Sequence, residues 1–97
     1  MVVISKKAIT EFSEAEPKSA EALMNWYKET KNADWKNYAA VKKSFNSVDA
    51  VGNGLYVFNI HGNNYRLIAR IIFTVRTVYI KFIGTHKEYD KVDLGAL

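Results

Sequence analysis

At Leu55 the apolar pattern of the chain changes period, and that switch narrows the possible folds more than any other feature. Upstream, apolar residues recur at helical spacing: Ala8, Ile9, Phe12 and Ala15 in one segment, then Ala20, Leu23 and Tyr27 with Met24 and Trp26 beside them. Downstream, "LYVFNI", "NYRLIARIIF" and "VYIKFIGTH" are extended runs separated by "HGN" and "TVRT". Helices first and strands after give an α+β domain, with N-terminal helices packed on one face of a small antiparallel meander. The 97 residues suffice for one such domain, residues 1–97, around a single core.

Local signals set the boundaries. "VVI" (2–4) reads as a short strand and Ser5 as the N-cap of the first helix. Glu16-Pro17 breaks that helix, because the residue before proline is pushed out of the α region. Pro17 then suits the first turn of a second helix running to about Lys31. Asp34 is the expected cap of a third, shorter helix carrying Trp35, Tyr38, Val41 and Phe45.

A tight turn at Val75-Arg76 would place Arg70 opposite Lys81, Ile68 opposite Ile83, Arg66 opposite Thr85 and Ala69 opposite Phe82. A turn through His61–Asn64 likewise sets Asn59 against Arg66 and Phe58 against Leu67. In this register Tyr56, Phe58, Leu67, Ala69, Ile71, Ile80 and Phe82 share the face that the helices bury. The other face carries Arg66, Arg70, Lys81 and Lys87 among Leu55, Val57, Ile68 and Ile83. Arg70 directly across from Lys81 would be repulsive, unless an anion such as phosphate rests between them.

The charge distribution points the same way. From Lys36 to Lys87 there are eight basic residues, including every arginine, against the single acidic Asp49. A basic half of this kind favours a polyanionic partner, and on charge alone an ordinary solvated face of lysines weighs equally. Cysteine is absent, which fits a reducing cytosol and removes thiolate metal sites. His61 and His86 are a poor zinc pair, and "GNG" at 52–54 fits no nucleotide loop. No metal, cofactor or membrane is expected.

The last extended run ends in "GTHKEYD", in which His86, Lys87, Glu88, Tyr89 and Asp90 can all carry or pass a proton. This is either a polar strand end meeting water or the acid–base edge of an active site. Metal-free RNA cleavage needs a base for the 2′-OH, an acid for the leaving oxygen, and cations at the phosphate. His86 and Tyr89 are the proton-transfer candidates, Arg66 and Arg70 the catalytic cations, Lys81 and Lys87 further phosphate contacts. The same face would also suit a module that binds RNA or the ribosome without cutting. A protein-interaction domain using Leu55, Val57, Ile68 and Ile83 is a third possibility.

The segment "SVDAVGNGLYVFNIHGNNYRLIARI" followed by "VYIKFIGTHKEYDKVD" resembles the HigB toxins of bacterial type II toxin–antitoxin systems, a branch of the RelE superfamily. The likeness runs from Ser47 to Asp93. It rests on "GNNYRL" (62–67), with Arg66 in a Tyr-Arg-Leu pattern, and on "GTHKEYD" (84–90), matching a Thr-His-x-x-Tyr-Asp signature. Arg76, Lys81 and Lys87 fall outside those fixed letters. The resemblance implies a RelE-like fold and an endoribonuclease, or mRNA interferase, that inhibits translation by cutting mRNA. In many relatives the message is bound in the A site of the 70S ribosome. It further implies neutralisation by a HigA-like helix-turn-helix antitoxin, whose complex with the toxin binds operator DNA.

Overall fold

The structure is a computed structural model that describes residues 1–97. Strand β1 (Val2–Ile4) leads into helix α1 (Lys6–Ala15), a 3₁₀ turn at Pro17–Ser19, helix α2 (Ala20–Asn32) and helix α3 (Tyr38–Ser44). Four strands follow: β2 (Asp49–Gly52), β3 (Leu55–Ile60), β4 (Tyr65–Ile72) and β5 (Thr77–Thr85), then a one-turn helix α4 (His86–Tyr89). The expected meander β3–β4–β5 is present. The sheet is larger than that meander, with order β1-β5-β4-β3-β2, and β1 runs parallel to β5.

Proline ends the first helix as its geometry requires, since Glu16 leaves the helix at φ −129° and Pro17 opens the next turn. The third helix starts later than expected. Its cap is Asn37, whose side chain accepts from the Ala40 N–H at 3.0 Å. Asp34 instead pairs with Arg76, whose Nε donates to Oδ1 at 2.6 Å. That hydrogen bond, more than any other influence, holds the Asp34 carboxyl below its ordinary 3.8. A depressed carboxyl stabilises the fold above its unfolded pKa, and the contribution is lost as pH falls through the folded one. Arg76→Ala should therefore flatten the fall of melting temperature on acidification below 3.8, measured by thermal unfolding across pH. The effect should be small, because both groups meet solvent.

The helical layer buries Ile9, Leu23, Trp26 and Val41 against Phe58, Leu67, Ala69, Ile71 and Val78 of one sheet face. Edge-to-face contacts fix the aromatic part of this core, with Trp26 and Phe45 each on Phe58 at ring separations of 5.4 and 5.3 Å. The opposite face is not open. Leu55, Val57 and Ile68 are 1, 4 and 0 % exposed, covered by Val51, Phe82, Tyr89, Val92, Leu94 and Leu97. The chain itself thus occupies the apolar patch that a protein-interaction domain would have offered.

The β3–β4 register is the expected one, with Asn59 paired to Arg66 and Phe58 to Leu67. The β4–β5 register is not. The strands close at Ile72–Thr77, because Phe73–Val75 form a 3₁₀ turn, Arg76 adopts φ +49° and Phe73 packs edge-on against Tyr56. This longer turn shifts the partners by two residues and leaves the faces unchanged, so Ile80 still enters the core. A bulge at Lys81 then moves the register back by one, leaving a net one-residue shift, and a one-residue shift reverses faces. Beyond it Ile83 pairs with Leu67 on the helical side and Phe82 with Ile68 on the other. Arg70 consequently faces Tyr79, not Lys81. The expected repulsive pair does not exist.

Candidate active site

Thr85 ends β5 and begins α4 through a reciprocal cap. Its hydroxyl accepts from the Glu88 N–H at 3.2 Å, and the Glu88 carboxylate accepts from the Thr85 N–H at 2.8 Å. The first helical residue, His86, donates its backbone N–H to the Asn64 carbonyl at 3.1 Å, tying α4 to the β3–β4 turn. With Glu88 held in the cap, Tyr89 turns inward onto the Leu55–Val57–Ile68 patch, and His86 stays exposed. His86 Nδ1 lies 3.4 Å from Asp90 Oδ2, one helical turn on. "Thr-x-x-Glu" is a legible capping signature in the sequence, but its consequence for His86 and Tyr89 was missed, as were the roles of Asn64 and Asp90.

Arg66 stands beside this edge. It lies on β4 opposite Gly84 and Asn59, two residues from Ile68 and on the same face. It is half-buried, and one of its five N–H groups is spent on the Tyr65 carbonyl at 3.1 Å. The ion pairs of the chain are Lys7–Glu11 and Arg76–Asp34, and the remaining close contact of this kind is His86 beside Asp90. Arg66, Arg70, Lys81 and Lys87 belong to none of them.

The structure thus gathers Arg66, His86 and Tyr89 at one end of the face, with exposed Lys87 on α4 next to them. Arg70 is set apart from them. Its Nε donates to the Asn53 carbonyl and its Nη2 to the Leu97 carbonyl, both at 3.1 Å, so it clamps the segment after α4 to the β2–β3 turn. Lys81 is set apart as well. As the bulge residue it sits past the reach of β1, lining a groove with Ala8, Glu11, Phe12 and Ala15 of α1.

Gly84 is what keeps the Arg66 end of the face compact. A Cβ there would run into the Phe82 ring and lie 3.2 Å from Glu88 Cβ. Gly84→Ala should therefore push α4 off the sheet, costing about 1–3 kcal/mol as overpacking does. Thermal unfolding measures the loss, and RNA cleavage by the remaining folded protein should fall with it.

Comparison with known proteins bears on this site. Residues 19–92 match the profile of the family described as HigB_toxin, RelE-like toxic component of a toxin-antitoxin system. The mRNA interferase HigB of Escherichia coli O6:H1 (strain CFT073) is 34% identical over 94 residues, covering 95% of this chain and 91% of the relative. The mRNA interferase toxin HigB of Escherichia coli strain K12 and the mRNA interferase HigB of Shigella flexneri are each 32% identical over 92 residues, covering 93% of this chain and 88% of the relative. The chain belongs to the HigB family of RelE-like toxins, the toxic components of toxin–antitoxin systems.

Proposed function

We propose that this toxin is an endoribonuclease that cleaves mRNA, using Arg66, His86 and Tyr89 at the α4 end of the sheet. The observation that carries the reading is the position of Arg66. It is a half-buried cation outside every ion pair, on the same face as Tyr89 and facing the strand end that leads into His86. The relatives named mRNA interferase lie at 32–34% identity over nearly the whole chain, which supports the same activity.

In the reaction the 2′-OH of one nucleotide attacks the adjacent phosphorus. The P–O bond to the 5′-oxygen of the next nucleotide breaks, giving a 2′,3′-cyclic phosphate and a free 5′-OH. Arg66 donates to the non-bridging oxygens as negative charge builds there, and a fixed donor aimed at developing charge is the most effective kind. His86 and Tyr89 move the two protons, one from the 2′-OH and one to the 5′-oxygen, with Asp90 orienting the imidazole. Arg70 acts at one remove, holding the segment that covers the apolar patch under Tyr89. Lys87 contacts a flanking phosphate, and Lys81, turned toward α1, takes no part.

The partners are the mRNA and a neutralising antitoxin of helix-turn-helix type, and the complex of the two proteins binds operator DNA. Cleavage takes place on mRNA held in the ribosomal A site, in the cytoplasm. No helix is long and apolar enough to cross a membrane.

Induced expression without an antitoxin tests the proposal. Growth should stop, and mapped mRNA 5′ ends should show new internal cuts. Normal growth and intact messages with soluble, folded toxin would overturn it. Ribosome or RNA binding should also weaken steeply with salt, as phosphate contacts release counterions. Salt-sensitive binding with intact messages would identify a binding module that does not cut.

A further inference from the structure

Strand β2 pairs with β3 only through Leu55, Tyr56 and Val57, so Phe58–Ile60 have a free outer edge. Against that edge the turn after α3 forms a hollow of about 260 Å³, lined by Lys43, Phe45, Asn46, Ser47 and Asn59 among others. Asn59 is the β3 partner of Arg66, and directly paired residues project to the same face. Phe58 of the helical face lines the hollow as well, so the hollow sits at the β3 edge, with Asn59 its one lining residue on the face of the arginine assigned to the phosphate.

Its walls are already fixed. The Val48 N–H closes a turn onto the Phe45 carbonyl at 3.1 Å. The Val48 carbonyl in turn accepts from the Tyr38 hydroxyl at 3.1 Å and from Lys42 Nζ at 3.2 Å. Phe45 is locked edge-on between Trp35 and Phe58. A site formed before binding loses little entropy when it is filled.

The lining chemistry selects among ligands. A phosphate site would need several cations, and here Lys43 is the only one. What the hollow offers is two carboxamides, two hydroxyls (Ser44, already accepting from Trp35 Nε1, and Ser47) and an aromatic wall, the groups that read the edges and faces of unstacked RNA bases. Its volume falls just below the usual range of pockets for drug-sized molecules, which suits one planar ring system. The larger hollow beside α2, lined by Asn25, Lys28, Glu29 and Asn32, lies on the helical layer and includes no residue of the arginine face.

We propose that this hollow is a base-recognition site, receiving the nucleobase of a nucleotide that flanks the cut. Asn46 and Asn59 read its edge, Phe45 packs on its ring, and Lys43 meets the neighbouring phosphate. The site makes cleavage base-selective at one position next to the scissile bond. This inference rests on the reading of the protein as an mRNA-cleaving enzyme.

Two measurements test it. The side-chain amide resonances of Asn46 and Asn59 are followed by NMR while the four ribonucleoside 5′-monophosphates are titrated into the purified toxin. Cut sites are mapped by mRNA 5′ ends for the parent, Asn46→Ala and Asn59→Ala, all of them changes at exposed positions. The expected results are base-selective shifts of both amides, and a drop of about 5- to 100-fold in base discrimination at one position in the variants. Unshifted amides together with parental base frequencies in both variants would overturn the inference while leaving the cleavage reading standing. Base-selective shifts in a protein that cuts no RNA would uphold the hollow and remove the cleavage reading.

Discussion

Arg66→Ala should reduce mRNA cleavage by about 10²-fold or more, the usual cost of removing a donor that stabilises transition-state charge. The fold should hardly notice. Arg66 makes one hydrogen bond, to the carbonyl of its own neighbour Tyr65, and belongs to no ion pair. Its loss should therefore stay near the small range seen for surface changes, about 0.5 kcal/mol. Arg70→Ala is the informative contrast. That change removes two bonds from a charged donor to the Asn53 and Leu97 carbonyls, and hydrogen bonds to charged groups contribute about 1.5–3 kcal/mol each when shielded. Melting temperature should fall clearly at position 70, and activity with it as the segment under Tyr89 loosens. Cleavage assays below both melting temperatures, read beside thermal unfolding, separate the two arginines. Parental cleavage by folded Arg66→Ala would move the site elsewhere.

The difference between the two arginines also shows where sequence reasoning reached and where it stopped. Helical spacing located α1 and α2, and Pro17 marked their junction, because those signals act within a turn or two of themselves. The β3–β4 register was legible for the same reason, since a polar turn of fixed length joins two clean apolar runs. The bulge at Lys81 carries no glycine or proline to announce it. It arises from the fit of a whole strand against β4, so Phe82 and Ile83 were assigned to the wrong faces. Strand β2 escaped notice because "DAVG" is short and mostly exposed, and a strand of that kind exists only through its pairing with β3. Part of the cover over Leu55, Val57 and Ile68 comes from Val92, Leu94 and Leu97. Those residues are too few for a period, so their burial is a tertiary fact alone. Asp34 and Asn37 are both good caps, and nothing local ranks them. Arg76, forty-two positions away, takes the first and leaves the second to the helix. The candidate site was legible to the extent that its groups cluster in sequence. His86 and Tyr89 lie in one run, whereas the assignment of Arg66 over Arg70 required the register.

The same α4 geometry predicts a graded series at Tyr89. The ring packs on Leu55, Val57 and Ile68, and the hydroxyl is the only part that can exchange a proton. Tyr89→Phe keeps the packing, so its melting temperature should stay close to that of the parent. If the hydroxyl moves a proton in the reaction, cleavage should drop by about 10²- to 10⁴-fold, the range for general acid–base groups. Tyr89→Ala loses the ring as well and should also destabilise the domain, by about 1–3 kcal/mol for a half-buried aromatic. Parental cleavage by Tyr89→Phe with loss in Tyr89→Ala would assign Tyr89 to packing or base stacking instead. His86→Gln is the companion test. The backbone bond to Asn64 and the Thr85–Glu88 cap do not use the imidazole, so the helix should form unchanged. What disappears is the ring beside Asp90, the group placed to pass a proton. Cleavage should fall by a similar factor. A lower melting temperature with undiminished cleavage would show that His86 merely secures the start of α4, and would leave Tyr89 and Arg66 to act without it.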